Sequence, residues 1–214
     1  MNEPPPRYRT AIGAVSLVLG PALMSVGDLF HPAESWDPAA QVAIVAESAS
    51  RWYAAHFLLF VGLLVLIPGF LALTELVANR RPAIGYAARL FLLISVGALS
   101  AQFVFEMLLG RFLSEGGNRA AALTLLATYW SRVLVVLLPS LLAFFIGTGL
   151  AVVSLASKPG PFRWPALALG LGAVLILGEI VLSEVLLSQI GNILMLVAGI
   201  AFARLLRGRA EAYS

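Results

Sequence analysis

Long apolar runs, separated by short polar and turn-forming stretches, set the pattern of this chain. Six runs come close to the roughly 20 residues that carry a helix across a bilayer. They cover about 10–30, 52–76, 88–109, 131–153, 165–187 and 190–206. The first is too long for the roughly 7–15 apolar residues of a secretory signal, and no clean small-x-small cleavage site follows it, so it reads as a retained helix.

The breaks between the runs are chemically specific. Pro32 disfavours helical geometry at His31 and should end the first span there. Asp37 before Pro38 is a helix start, with a side-chain acceptor at the cap and a proline where no donor is needed. Val42, Val45, Ala46 and Ala49 then share one face of a helix too short to span, expected to lie on the membrane surface. Trp52 and Tyr53 read as interfacial anchors. Further on, GGN at 116–118 marks a turn, followed by a second short interfacial helix before 131. Pro139 is a kink position, SKPGPFRW is a loop, and a tight hairpin joins the last two spans.

The expected fold is all-α: an integral membrane bundle of six transmembrane helices, with a short interfacial helix after the first span. Residues 1–9 form a disordered basic tail, 10–206 a single transmembrane domain, and 207–214 a cytoplasmic tail. Composition agrees. Sixty per cent of the residues are hydrophobic and 12% charged, whereas soluble domains carry roughly 25% charged residues. The chain contains no cysteine, which excludes disulfides, thiolate metal sites and cysteine nucleophiles.

The net charge of +3 could suggest nucleic acid, but the arginines sit at the ends of apolar runs and so report orientation instead. With the N-terminus inside, only Arg51, Arg111, Arg119 and Arg132 of the 14 basic residues fall outside. That asymmetry predicts a multi-pass protein of the plasma membrane with both termini cytoplasmic and the lipid bilayer as its surroundings. Ala166/Gly170 and Gly199/Ala203 have the small-residue spacing that lets membrane helices approach closely.

This topology gathers ionisable groups at the outer face. Asp28 and His31 close the first span, and His56 stands one turn into the second. Gln102 and Glu106 share a face near the outer end of the third. Glu179 is buried in the fifth, where a charge costs at least about 2.5–3.5 kcal/mol, so an intramembrane carboxylate is functional by default. Glu184 lies about 140° round the helix from it. Glu179, Glu106 and His56 are the candidate catalytic residues; Asp28, His31, Gln102 and Arg132 the candidate ligand-binding ones. His31 and His56 could hold a divalent metal, with carboxylates completing the set, since the two histidines exclude a three-histidine centre. Each residue also has a structural reading. His31 could cap the first span, Asp28 could accept from His31 or Trp36, and Glu106 could pair with Arg111 or Arg132. On the inner side, Glu75 is expected to pair with Arg80 or Asn79.

The run GDLFHP, followed by RWYAAHFLL and a helix ending LIPGFLAL, occupies the first third of the chain. It resembles small bacterial polytopic membrane proteins of unassigned function. The resemblance implies the bundle and carries no activity.

Three functions fit these residues. One is a protein that binds or transports an ion, a proton or a small amphiphilic ligand in an outward pocket. Six spans without a repeat are unusual for a transporter, for which a homo-oligomer could supply the pathway. The second is a membrane enzyme, acid–base or metal-dependent, acting on a lipid or isoprenoid. The third is a structural or accessory membrane subunit.

Overall fold

A computed structural model describes residues 7–157, 159–182 and 185–212, apart from the side chains of 7, 130–137, 180, 181, 185 and 209–212. The described residues form helices and connectors, without a strand. In chain order the helices are α1 Arg7–Phe30, α2 Pro38–Glu47, α3 Ala49–Ala78, α4 Pro82–Ser114, α5 Arg119–Ala156, α6 Arg163–Leu182 and α7 Val185–Ala212. Among the described residues, five stretches are long and apolar enough to cross a membrane: Tyr8–Phe30, Ala49–Ala78, Pro82–Ser114, Leu138–Ala156 and Leu186–Gly208. The chain is a multi-pass, membrane-type helical protein.

Local chemistry sets the boundaries. α1 stops at Phe30, one residue before His31, as Pro32 requires. The Asp37 carboxylate accepts from the backbone N–H groups of Ala39 and Ala40 at 3.4 and 3.1 Å, opening α2. Pro82 occupies the first turn of α4. After α4 the chain reverses at Gly116, whose φ of 81° favours glycine. Asn118 then caps α5 through Ala120 and Ala121.

The expected short helix before 131 is not separate from the span that follows. Residues 119–156 form one helix of 38 residues. All the turn chemistry is spent in GGN, and no glycine or proline interrupts the chain from there to Pro139. At about 1.5 Å per residue, helices of 33 and 38 residues exceed a hydrocarbon core of about 30 Å. Residues 185–187, expected in the fifth span, belong to α7, which begins at Val185.

Six helices pack in a closed ring: α1 on α3, α3 on α4, α4 on α5, α5 on α6, α6 on α7, and α7 back on α1. The main apolar core joins Leu63, Leu66 and Phe70 of α3 to Leu92 of α4, Phe144 of α5 and Phe202 of α7. Where α7 returns to α1 the backbones nearly touch. A Cβ on Gly199 would collide with the Leu17 carbonyl oxygen, so only glycine fits. Gly170 is less demanding, since its Cβ would meet Val152 side-chain atoms at 3.3 Å. Large apolar side chains such as Leu29, Leu90, Val153 and Leu186 point outward, as on a surface solvated by lipid.

Helix α2 lies across α3, α4 and α5. Its Val42 and Val45 are buried in a second cluster with Trp52, Leu109, Leu113, Ala122 and Leu126. The apolar face expected to meet the membrane thus meets protein, because α4 and α5 extend far enough to offer it a platform. Trp52 is corrected in the same way. It is 1% exposed and its indole Nε1 donates to the Glu106 carbonyl oxygen at 3.2 Å, so it is an inward wedge. Tyr53, by contrast, stays exposed. At the opposite end Glu75 pairs with Arg89 of α4 at 2.8 Å, not with Arg80 or Asn79. Arg80 instead stands over the Phe162 ring, 5.3 Å from its centre.

Candidate functional site

Inside the ring lies a cavity of about 530 Å³ to which all six ring helices contribute. The connector between α1 and α2 and the side chain of Gln41 cover one end. Along α3 the lining runs from Trp52 to Phe70, 18 residues apart or about 27 Å of helix. The end near Phe70 is apolar, walled by Leu63, Leu66, Leu141, Phe144 and Met195. The covered end carries the polar groups.

Two histidines meet at that end. His31 hangs from the connector just beyond α1, and His56 lies one helical turn after Trp52 on α3. His31 Nδ1 is 2.7 Å from the Pro32 carbonyl oxygen, and His56 Nδ1 is 2.9 Å from that of Trp52. A carbonyl oxygen only accepts, so each Nδ1 carries the hydrogen and donates. In the neutral rings the Nε2 atoms are therefore bare, and they face each other at 3.4 Å. Glu34 adds a carboxylate oxygen 3.4 Å from His31 Nε2. One ligand atom from each of the three residues lies within 4.8 Å of the other two.

Packing fixes this cluster. The Trp52 ring lies 4.9 Å from His31 and 4.5 Å from His56, centre to centre, and Phe103 closes on His56 at 6.1 Å. The connector is pinned where Ser35 N–H donates to Gln41 Oε1 at 2.8 Å and Arg51 reaches the His31 carbonyl oxygen at 3.4 Å.

A second polar group lines the cavity between α1, α4 and α7. Asn192 Nδ2 donates to Asp28 Oδ2 at 2.6 Å, and Gln189 Nε2 donates to the Asp28 carbonyl oxygen at 3.2 Å. Asp28 therefore takes a short side-chain bond from Asn192 of α7. Gln102 Oε1, Glu106 Oε2 and Asn192 Oδ1 are buried acceptors without a hydrogen-bond partner. All three residues line the cavity. Glu106 does not pair with Arg111, which bonds Glu115 one turn away on the surface. Glu179, half-buried on α6, faces the same space. Among the described lining residues Asp28, Glu34, Glu106 and Glu179 are acidic, and none is a lysine or arginine.

Of the residues singled out from sequence, Asp28, His31, His56, Gln102, Glu106 and Glu179 thus border one cavity. The Arg132 side chain and Glu184 lie outside the described residues. Sequence reasoning missed Glu34 as a partner of the histidines. The spacing HPAE was visible, but the proline breaks the helix, so the rule that residues three apart share a face did not apply. The connector itself folds back and brings Glu34 to His31. Asn192 was not among the residues singled out.

No family model, curated protein or solved structure matches the chain.

Proposed function

We propose that this is a six-span protein of the plasma membrane whose outer-face pocket binds an amphiphile with a cationic or hydroxyl-rich head. α6 supplies the sixth crossing: its 20 residues span about 30 Å, the thickness of the hydrocarbon core. The bias of basic residues supports cytoplasmic termini and puts the covered end of the cavity outside.

One observation carries the ligand class. Three buried acceptors, on Gln102, Glu106 and Asn192, lack donors beside an acidic lining. A buried acceptor left without a donor loses about 1–3 kcal/mol, so a head group that donates hydrogen bonds or carries positive charge is rewarded. Among the described lining residues, an anionic head meets only carboxylates. The apolar length from His56 toward Phe70 suits a hydrocarbon tail.

The test is a binding series with full-length protein in nanodiscs. Single-chain amphiphiles of one tail length and ammonium, polyol or sulfate heads report through quenching of intrinsic tryptophan fluorescence. The ammonium and polyol compounds bind, the sulfate binds at least tenfold more weakly, and Glu106→Gln narrows that gap. Equal affinity for all heads, or no saturable binding, would reject the reading.

A second reading, an enzyme acting on a lipid-like substrate, is favoured by the juxtaposition of His31, Glu34 and His56. Turnover of the bound amphiphile, lost in Glu179→Gln or Glu106→Gln with binding retained, would establish it over simple binding.

A further inference from the structure

We propose that His31, Glu34 and His56 form a zinc-class divalent metal site at the covered end of the cavity. The argument begins with the tautomers. Both imidazoles spend the Nδ1 hydrogen on a backbone carbonyl, at 2.7 and 2.9 Å. Metal-binding histidines are oriented in this way, the second ring nitrogen donating outward so that the first presents its lone pair.

The two lone pairs then converge. Nε2 to Nε2 is 3.4 Å, and Nε2 of His31 to Oε1 of Glu34 is 3.4 Å. Two bare nitrogens and a carboxylate oxygen repel one another across so small a space unless a cation lies among them. A proton is a poor bridge here, since N–H hydrogen bonds close to about 2.7–3.2 Å. A metal fits better. Ligands about 2.05 Å from a tetrahedral zinc are separated by about 3.3 Å along each edge. The two distances above match that edge within about 0.1 Å.

The donor set points the same way. Two imidazoles and one carboxylate suit zinc and other borderline divalent ions, not the all-oxygen shells of calcium or magnesium. Three protein ligands leave a fourth position for water or a ligand, as in catalytic rather than structural zinc sites. All three residues line the cavity, so that position opens into it. Only this last point rests on the pocket reading: a hydroxyl or amine head in the cavity would approach the ion directly.

The experiment loads purified full-length protein in nanodiscs with Zn2+ alone, removes free ion and measures metal by mass spectrometry. Cobalt loading then reads geometry through its visible absorption. The expected result is one zinc per chain and a cobalt spectrum of tetrahedral intensity. Glu34→Gln, which keeps size and polarity at a half-exposed position, is expected to weaken zinc affinity at least tenfold. His31→Asn and His56→Asn remove stoichiometric binding while elution and helical circular dichroism stay unchanged. Metal-free protein after loading overturns the proposal, as does zinc retained with unchanged affinity in Glu34→Gln. Amphiphile binding is measured with and without the ion. Zinc bound without amphiphile keeps the metal site and discards the pocket reading, while amphiphile bound without zinc does the reverse.

Discussion

Asn192 and Asp28, 164 residues apart in sequence, are joined side chain to side chain at 2.6 Å. The bond ties α7 to α1, and both residues are buried. It fixes the wall of the cavity opposite α4 and turns the remaining Asn192 oxygen into that space.

Removing the amide should therefore weaken the whole ring. Asn192→Leu removes one donor from the buried Asp28 carboxylate, a loss of about 1–3 kcal/mol. Reversible unfolding in mixed detergent micelles is the measurement. Asp28→Asn should recover part of that loss in the double variant, because the two sites share one bond and their effects do not add. Strictly additive effects would mean that the bond contributes nothing to stability.

The contact of α7 with α1 should tolerate no side chain at Gly199. A Cβ there collides with the Leu17 carbonyl oxygen, whereas at Gly97 no atom lies within 4 Å. Gly199→Ala is expected to destabilise by at least about 1–3 kcal/mol through overpacking. Gly97→Ala should be neutral or slightly stabilising, since alanine is the better helix former by about 1 kcal/mol. The same unfolding assay compares them directly.

Orientation is accessible to labelling because the natural chain holds no cysteine. Glu47→Cys and Arg80→Cys place single thiols at exposed positions just beyond the opposite ends of α3. A membrane-impermeant maleimide added to intact cells should label the first and spare the second. Labelling in the reverse order would put the cavity mouth in the cytoplasm.

Helix positions were largely legible in the sequence, since apolar run length and a few breakers determine them. Pro32, the Asp37–Pro38 pair and GGN each stop or start a helix where expected. The extension of α5 back to Arg119 is not legible in the sequence, because a moderately polar first turn looks like a separate surface piece without α2 packed on it. Trp52 shows a deeper limit. A tryptophan at the edge of an apolar run fits an interfacial anchor and a buried wedge equally well, and only the position of α2 decides between them.

The site was legible by residue type and not by partnership. Scarcity marked Asp28, His56, Glu106 and Glu179, because ionisable groups in apolar runs are rare and costly. Which of them touch depends on the order of helices around the ring, which run lengths do not encode. The join between α7 and α1 made Asn192 the partner of Asp28, and a non-helical connector made Glu34 the partner of His31.

Ring closure has a consequence for biogenesis. The first span leaves the ribosome some 160 residues before the helix that completes its binding surface. At translation speeds of about 5–20 residues per second, that interval lasts roughly 10–30 s. Throughout it, a carboxylate-bearing segment must be held in or beside the insertion machinery without its final neighbour, so a nascent chain stalled before Asn192 would have an unfinished chamber.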